Sequence, residues 1–388
     1  MSDFHQRGLI STLPRLNTTP LEELERQLET LAESHGTALI LPCTLDDFRR
    51  PAMRSILAEI RHAHYLSQIV VSLNQATADD LPDIRAQLAD HPRITLLWND
   101  DPALQALLPE PRSGKGFNLW TALGWLILRG GCECVITHDC DILHYSRELP
   151  ALLTWPLLDP ALGYRFIKGY YPRHGGERGQ LYGRVTRLFV GPLLRALVRV
   201  EGHSPLLDFL DSFRYPLAGE FGGRLSDLAQ FSLSDAWGLE MDLLCSVHRA
   251  LPPEAVAQID LGSNYEHKHQ VLEDGRADSG LTRLAADISS CLLHHLAREG
   301  MRLTPDFLQA LRSAYQHSAR HTLRRYRHVA LLNRLHFPED EETMLVEKFS
   351  AVLDRPLENT PVPLPAWSEL MRTQPDWCAQ FREILQLT

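Results

Sequence analysis

The chain has 388 residues, of which 44% are hydrophobic, and a formal net charge of −10 at pH 7. This length allows a large buried core and predicts either two units or one elaborated α/β domain. The acidic balance disfavours broad nucleic-acid binding, which needs a dominant basic face. No run of about 18 apolar residues is present, so no membrane span is expected, and residues 1–8 lack the apolar core of a signal peptide.

The cysteine and lysine contents indicate the cellular compartment and the first candidate site residues. Seven cysteines, odd in number and irregularly spaced, indicate reduced thiols, and we therefore expect a cytoplasmic protein. Only four of the 39 basic residues are lysines, at positions 115, 168, 268 and 348. Lys115 and Lys268 lie inside motifs described below, and Lys168 lies in an expected core strand near them. A compact ammonium suits a site there that a planar guanidinium would not.

Periodic apolar residues predict the elements in chain order. Residues 1–36 form a helical arm, whose leucines at 21, 24, 28 and 31 line one face. Strands are then expected at 37–42, 68–73, 93–98, 133–137, 165–171 and 255–261. Helices are expected at 51–63, 79–88, 117–128, 184–200 and 238–250, and from about residue 280 onward the pattern is all helical.

This alternation predicts an α/β fold with a Rossmann-like, mostly parallel sheet and flanking helices. We expect a catalytic domain at 37–275, with a donor half at 37–145 and an acceptor half at 146–275. A helical C-terminal region follows at 276–388. Because ligands of such sheets bind at the carboxyl ends of the strands, polar residues there are the first candidates for a site.

An aspartate pair follows the strand expected at 133–137. Asp139 and Asp141 stand two residues apart in an extended segment, so their carboxylates can point to the same side. Hard oxygen ligands suit Mg²⁺ or Mn²⁺, and such an ion can hold a diphosphate. Aspartates also cap backbone amides in turns, so the spacing alone leaves both interpretations open, although the position after a buried strand favours the metal.

A glycine-lysine-glycine turn at residues 114–116 precedes the helix expected at 117–128. Glycines allow close backbone approach, and a helix N-terminus together with Lys115 favours an anion. The Gly-x-x-x-x-Gly-Lys spacing of a P-loop is absent. The segment therefore predicts either a phosphate site of another kind or a simple turn into a helix.

Three later segments add weaker signals. His267, after the strand expected at 255–261, could supply an imidazole ligand to a metal site begun by a carboxylate. Glu220 lies near glycines and could accept hydrogen bonds from sugar hydroxyls. The segment at 183–186 opens a long helix, where backbone N–H groups, a guanidinium and a hydroxyl could bind a carboxylate or a phosphate.

Taken together, these segments give the chain a resemblance to the glucosyl-3-phosphoglycerate synthase family of retaining glycosyltransferases, over about residues 37–270. The resemblance is carried by Pro42, the Gly114-Lys115-Gly116 turn, Asp139 with Asp141, the Gly183-Arg184-Val185-Thr186 segment, Gly219-Glu220 and Glu266-His267. Each part is common by itself, but the combination is specific.

The resemblance implies a GT-A fold, an NDP-glucose donor that is most often UDP-glucose, and 3-phosphoglycerate as the acceptor. Asp141 and His267, with Asp139 beside them, would bind Mg²⁺ or Mn²⁺ together with the donor diphosphate. Lys115 would contact the diphosphate, and Glu220 would hold the glucose hydroxyls. The resemblance therefore implies Asp141, Lys115 and Glu220 as catalytic residues.

The two substrate sites depart from the family pattern at Asp46, Asn74 and His269. Asp46 lies where the family has an Asn-Glu-Glu sequence, Asn74 lies where a uracil-binding aspartate is common, and His269 replaces an asparagine. The donor-binding residues implied are Pro42, Asp46, Asn74, Gly114, Lys115, Asp139 and Glu220. The acceptor-binding residues implied are Gly183, Arg184, Val185, Thr186 and His269.

Attack on the same face as the leaving group is expected, because no residue identifies itself as a covalent nucleophile. Alternatives are a glucosylglycerate or mannosylglycerate synthase, which would use glycerate or a GDP-sugar, and a sugar nucleotidyltransferase. The last would carry a Gly-rich basic loop after the first strand, which residues 41–48 lack. The expected partners are a nucleotide-sugar, a small acidic acceptor and a second copy of the chain as a homodimer, but neither nucleic acid nor a membrane.

Overall fold

A twisted sheet lies at the centre of the part of the chain that the computed structural model describes, residues 6–16, 19–175, 179–262, 280–354 and 363–386. Within these ranges the strands are β1 (Ser11–Leu13), β2 (Thr37–Thr44), β3 (Gln68–Asn74), β4 (Ile94–Trp98), β5 (Cys134–Thr137), β6 (Phe166–Tyr170), β7 (His174–Gly175), β8 (Gln180–Leu181), β9 (Phe221–Arg224) and β10 (Val256–Asp260). Strands β7 and β8 pair with each other, and the other eight form the central sheet.

The order in the central sheet is β1-β10-β6-β9-β5-β2-β3-β4. Its neighbours are parallel except around β9, which is antiparallel to both β5 and β6. The predicted mostly parallel sheet is therefore confirmed. Strand β9 was not predicted, because its glycines do not look like a strand in sequence. Gly222 is needed there, since a Cβ atom would lie 2.8 Å from the side chains of Ile136 and Leu157.

Helices cover both faces of the sheet. In chain order they are α1 (Leu21–Ala32), α2 (Leu45–Phe48), α3 (Pro51–Ile60), α4 (Leu81–Leu88), α5 (Pro102–Ala106), α6 (Lys115–Arg129), α7 (Glu148–Leu158), α8 (Gly191–Glu201), α9 (Pro205–Asp211), α10 (Leu225–Leu228), α11 (Leu239–Ala250), α12 (Gly280–Arg298), α13 (Pro305–Leu332), α14 (Glu339–Val352), α15 (Trp367–Thr373) and α16 (Pro375–Gln386). Because both faces are covered, the inner strands are rich in apolar residues, and every residue of β3 is buried. None of these helices, in the ranges described, has both the length and the apolar character needed to cross a membrane.

The N-terminal arm contributes a strand as well as a helix. Strand β1 pairs in parallel with β10 at the edge of the sheet, and α1 packs against α7. The helix was predicted but the strand was not, because three residues are too few to show an alternating pattern. The arm therefore extends the sheet rather than lying apart from it.

The C-terminal helices pack on the same core as α6 and α8. The Tyr315 hydroxyl in α13 donates to the Leu188 carbonyl at 2.8 Å. The Trp367 indole donates to the Trp120 carbonyl at 2.8 Å and lies directly on Gly124, where a Cβ atom would come within 1.9 Å of the ring. The predicted helical C-terminal region is confirmed, while the domain boundaries at 36 and 275 stay predictions.

Candidate active site

The aspartate pair and the glycine-lysine-glycine turn meet at the carboxyl edge of the sheet. Strand β5 ends at Thr137, and Asp139 and Asp141 follow it directly. Helix α6 begins at Lys115 after Gly114, whose φ of 98° favours glycine. Lys115 Nζ lies 2.6 Å from Asp139 Oδ1. The fold thus joins two motifs that the sequence keeps apart.

Lys115 also binds a second carboxylate, from a helix that sequence reasoning did not connect with the site. Its Nζ lies 3.0 Å from Oε1 of Glu240, in the first turn of α11. Burial alone would lower the pKa of Lys115, but Asp139 and Glu240 raise that pKa well above its ordinary value. The side chain as a whole is 37% exposed, so the site is open at Lys115.

The loop that contains Ser234 lies against the glycine-lysine-glycine turn and is held in place by helices α11 and α12. A Cβ atom on Gly116 would lie 2.0 Å from the Ser234 carbonyl oxygen, so only glycine fits. Asp242 Oδ2 accepts from the Ser234 amide at 2.9 Å, and Asp242 Oδ1 lies 2.8 Å from His295 Nε2. Asp242, Cys291 and His295 are the described residues whose potential metal-ligand atoms lie within 4.8 Å of one another. The hydrogen bonds of Asp242 to Ser234 and His295 already account for this closeness.

Glu220 lies beside the aspartate pair. The side chain is 0% exposed, and the Tyr171 hydroxyl donates to its Oε2 at 2.6 Å. The preceding Gly219 passes so close to Asp139 that a Cβ atom would lie 2.5 Å from both carboxylate oxygens. The Thr137 hydroxyl fixes this crossing by donating to the Gly219 carbonyl at 2.8 Å. Glu220, Asp139 and Lys115 therefore line one site.

The close approach at Gly219 predicts a loss of function without a loss of the fold. Gly219→Ala should push the Asp139 carboxylate away from its position and lower kcat/KM at least about tenfold. The matched control is Gly191→Ala, because a Cβ atom there would meet its nearest neighbours at 3.5 Å, an ordinary contact. Wild-type kinetics for Gly219→Ala would show that the position of Asp139 is unimportant.

Asn74, the candidate for base recognition, is 1% exposed and joins two parts of the donor half. With its amide oriented to satisfy both ends, it donates to the Cys43 carbonyl at 3.1 Å and accepts from the Gly114 amide at 2.8 Å. The Asn118 amide donates to the same Cys43 carbonyl at 3.2 Å. Asn74 therefore supports the glycine turn, and its role in base recognition stays a prediction.

The remaining donor candidates lie near the end of β2. Pro42 pairs in register with Ser72 of β3, and the strand continues beyond the predicted bound to Thr44. Asp46 follows in α2, where its side chain is 67% exposed and lies 2.6 Å from Arg50. Both residues lie at the carboxyl edge, and their contact with a donor stays a prediction.

The acceptor candidates open a helix that is not regular. Gly183 has a φ of 67°, and a π-helical turn at Thr186–Val190 precedes α8. A regular helix was predicted at 184–200, and the structure differs from it by this π-helical turn. Such turns occur frequently at functional sites. Burial lowers the pKa of the half-buried Arg184, against the opposing effect of Glu342. Val185 is buried, so Arg184 and Thr186 offer the polar side chains of this segment.

Thr186 also lines a cavity of about 390 Å³ between α8, α9 and α13. Four arginines contribute to its walls: Arg187, Arg195, Arg214 and Arg325. Asp211 is the acidic residue in the same lining, and Arg187 is already paired with the buried Glu342. The surroundings of the acceptor segment are therefore strongly basic, which suits an anion.

Two predicted site residues, His267 and His269, fall within residues 263–279, outside the described residues. Of the predicted metal ligands, Asp139 and Asp141 lie within the described residues, and their metal binding stays a prediction. Their carboxylates supply hard oxygen donors at the edge of the sheet, and Gly219 packs closely against that of Asp139.

Two curated relatives match nearly the whole chain. The glucosyl-3-phosphoglycerate synthase of Persephonella marina is 35% identical over 386 residues, which covers 96% of this chain and 95% of the relative. That of Methanococcoides burtonii is 32% identical over 373 residues, covering 92% and 91%. The chain belongs to the glucosyl-3-phosphoglycerate synthase family. Members of this family are glycosyltransferases, so the predicted family and enzyme class are confirmed, although no family model matches the chain.

Solved structures of glucosyl-3-phosphoglycerate synthase from Mycobacterium tuberculosis have the same fold. The complex with Mn²⁺, UDP-glucose and phosphoglyceric acid has a TM-score of 0.57 at 21% identity and covers 74% of this chain and 88% of that one. The complex with Mg²⁺ and UDP has a TM-score of 0.55 at 22% identity, covering 74% and 87%. The predicted GT-A fold is therefore confirmed.

Sequence reasoning missed three residues around this candidate site, Glu240, Tyr171 and Arg173, and gave Lys168 no role. Glu240 and Tyr171 bind Lys115 and Glu220, as described above, and Arg173 donates to the Tyr215 hydroxyl at 3.1 Å. Lys168 in β6 is 0% exposed, and burial lowers its pKa to about 8 although Glu240 opposes this effect. The rarity of lysine was a signal for Lys168, but no local pattern marks Glu240, Tyr171 or Arg173.

Proposed function

We propose that the protein transfers glucose from UDP-glucose to the hydroxyl of 3-phosphoglycerate, with retention of the anomeric configuration, to give glucosyl-3-phosphoglycerate. The observation that carries the proposal is Lys115, which joins Asp139 and Glu240 beside the buried Glu220. A cation at a helix N-terminus suits a diphosphate, and adjacent carboxylates suit a metal and a sugar. The names of the relatives and the ligands of the solved structures support the same substrates.

The donor set of the site fits a divalent cation. Asp141 and Asp139 would hold Mg²⁺ or Mn²⁺, with His267 as the predicted third ligand, and the M. tuberculosis structures contain these ions with UDP. When bound, the ion would neutralise charge on the diphosphate and make it a better leaving group. The close packing of Gly219 on Asp139 supports this assignment, because it leaves the carboxylate at one defined position.

The donor diphosphate would lie against the start of α6. The first N–H groups of a helix have no partner within the helix, so they attract an anion, and the Lys115 ammonium adds a full charge. As the bond between glucose C1 and the phosphate oxygen breaks, these groups would stabilise the negative charge that develops on the phosphate. Glu220, held by Tyr171, would accept hydrogen bonds from the glucose hydroxyls.

Retention follows from attack on the face that the diphosphate leaves. The acceptor oxygen would form a bond to C1, while its proton would pass to the departing phosphate oxygen. This route needs no covalent intermediate, and the described carboxylates are already engaged: Asp139 with Lys115, and Glu220 with Tyr171. The route requires the acceptor hydroxyl to lie close to the leaving phosphate.

The acceptor would bind where the helix opens at Gly183. Arg184 and Thr186 add a guanidinium and a hydroxyl to the N–H groups of this turn, and the arginines around the neighbouring cavity make the region basic. A dianionic phosphate gains more from such a site than a neutral hydroxyl does. This favours 3-phosphoglycerate over glycerate.

Arg184→Ala tests the acceptor assignment. We expect a loss of about 1.5–3 kcal/mol, or roughly 10- to 150-fold in acceptor kcat/KM, because one charge-assisted contact disappears. Most of the preference for 3-phosphoglycerate over glycerate should go with it, whereas the donor KM should change much less. An equal loss with both acceptors, or a wild-type preference for glycerate, would contradict the phosphate assignment.

We also propose that the protein works in the cytoplasm as a homodimer. All seven cysteines are free, which agrees with a reducing compartment. Leu331 and Leu332 at the end of α13 are 65% and 84% exposed, as an interface between two copies would require. Sedimentation of wild-type protein and of Leu332→Ser would test the dimer.

A screen of nucleotide-sugars against acceptors tests the proposed substrates. UDP- and GDP-linked glucose and mannose are each incubated with 3-phosphoglycerate or glycerate, with Mg²⁺, with Mn²⁺ or with EDTA, and products are identified by mass spectrometry. UDP-glucose with 3-phosphoglycerate should give the highest rate, and only with the metal. A higher rate with a GDP-sugar or with glycerate would favour a mannosylglycerate or glucosylglycerate synthase.

A further inference from the structure

Lys168 lies inside the sheet in an arrangement that ordinary packing does not explain. It is 0% exposed, and its Nζ has no hydrogen-bond partner among the described residues. The ring of Phe221, its cross-strand neighbour in β9, lies 5.5 Å from the Nζ. An ammonium that is buried without a hydrogen bond destabilises the fold, so a leucine or methionine would be the more stable residue at this position. The positive charge of Lys168 therefore indicates a role other than packing.

The side chain of Lys168 points towards the helices that carry Lys115 and Glu240. Strand residues alternate between faces, and Phe166, two residues earlier, packs in the cluster that contains α6 and α11. The charged group that most favours the Lys168 ammonium is Glu240, followed by Glu220 and Asp139, whereas Lys115 disfavours it. Lys168 thus lies on the face of the sheet where helices α6 and α11 bring Lys115 and Glu240 together.

Substrate binding changes the balance among these groups. Without a donor, Asp139 and Glu240 share the single ammonium of Lys115. If Lys115 turns to the diphosphate, as the proposed function requires, Glu240 loses the cation that it binds directly. A carboxylate left without a cation beside a phosphate would weaken donor binding, because like charges repel.

We propose that Lys168 is a positioning residue that serves as the internal counter-ion of Glu240 and so allows Lys115 to move from Glu240 to the donor diphosphate. This inference rests on the proposed function, in which Lys115 binds that diphosphate. Lys168 itself touches no substrate, and its effect passes through Glu240. Lys168 then neutralises the Glu240 carboxylate, while Lys115 is available to bind the donor diphosphate.

A double-mutant cycle between Lys168 and Glu240 tests the inference. K168M keeps the length of the side chain and removes its charge, so it should weaken binding of UDP with Mn²⁺ by about tenfold and raise the donor KM by a similar factor. In an E240Q background the carboxylate that Lys168 neutralises is gone, and K168M should then change donor binding less than about twofold. Calorimetry with UDP and Mn²⁺ and the donor KM are the two readouts.

Phe166→Leu is the matched control for packing. It alters the same face of β6 without a change in charge, so its effect should be equal in the wild-type and E240Q backgrounds. If K168M does not fold, K168Q takes its place in the same cycle. Equal losses for the Lys168 variant in both backgrounds, or no loss in either, would overturn the counter-ion role.

The cycle separates this inference from the proposed function. Wild-type protein that binds UDP with Mn²⁺ and transfers glucose, but shows no coupling between Lys168 and Glu240, refutes the inference alone. Wild-type protein that neither binds UDP nor transfers glucose refutes the proposed function, and the inference with it.

Discussion

Asp141→Ala is expected to lower kcat at least about 100-fold, because it removes part of the cation's hold on the donor diphosphate. Asp141 follows the buried strand β5, two residues after the carboxylate that pairs with Lys115. Burial would lower the pKa of Arg173, but neighbouring groups, with Asp141 among them, raise that pKa above its ordinary value. The same substitution should raise the concentration of Mn²⁺ needed for half-maximal rate.

The control for Asp141 is Asp90→Ala, which removes an exposed carboxylate outside the site. It should leave kcat and the Mn²⁺ requirement unchanged. Circular dichroism and thermal unfolding of both variants check that any loss of activity does not reflect unfolding. Full activity of the wild-type protein in EDTA, or wild-type kcat for Asp141→Ala, would show that the aspartate pair does not bind a catalytic metal.

Lys115→Met is expected to lower kcat/KM for the donor by about 100-fold, the second largest effect. Two losses combine. The diphosphate loses a cation at the start of α6, and Asp139 and Glu240, which Lys115 now joins at 2.6 and 3.0 Å, are left facing each other and the phosphate. Calorimetry with UDP and Mn²⁺ measures the first loss, and steady-state kinetics measure their sum.

Lys348→Met is the matched control for Lys115, because it replaces a lysine of α14, in the C-terminal region. Its UDP affinity and kinetics should match the wild type. Unchanged UDP affinity for Lys115→Met would mean that Lys115 serves only to join Asp139 and Glu240, and that another group binds the diphosphate.

The strands at the centre of the fold could be predicted from the sequence because each is a buried apolar run with clear ends. The predicted strand at 68–73 differs from β3 by one residue. Strands β1 and β9 could not be predicted: β1 has three residues, and β9 begins Phe-Gly-Gly. In β9 the glycines reflect the close packing of side chains on Gly222, a tertiary contact that leaves no periodic pattern.

The site was predictable where a motif follows a strand or opens a helix, as for Asp139 and Lys115. Glu240 was not, because its partner Lys115 is 125 positions away in the chain and only the fold brings the two side chains together. For Lys168 the sequence signal was the rarity of lysine, which does not indicate a role. The effect of Lys168 depends on burial and on the charges around it, which a single sequence does not contain.

Analysis of the reaction product by mass spectrometry and proton NMR tests the central assignment most directly. Purified protein, UDP-glucose, 3-phosphoglycerate and Mn²⁺ should give UDP and glucosyl-3-phosphoglycerate, and the small anomeric coupling constant of the product should report the same α configuration as in the donor. Omission of Mn²⁺, or addition of EDTA, should stop the reaction. Hydrolysis of UDP-glucose without transfer, or a product with a β-linked glucose, would contradict the assignment.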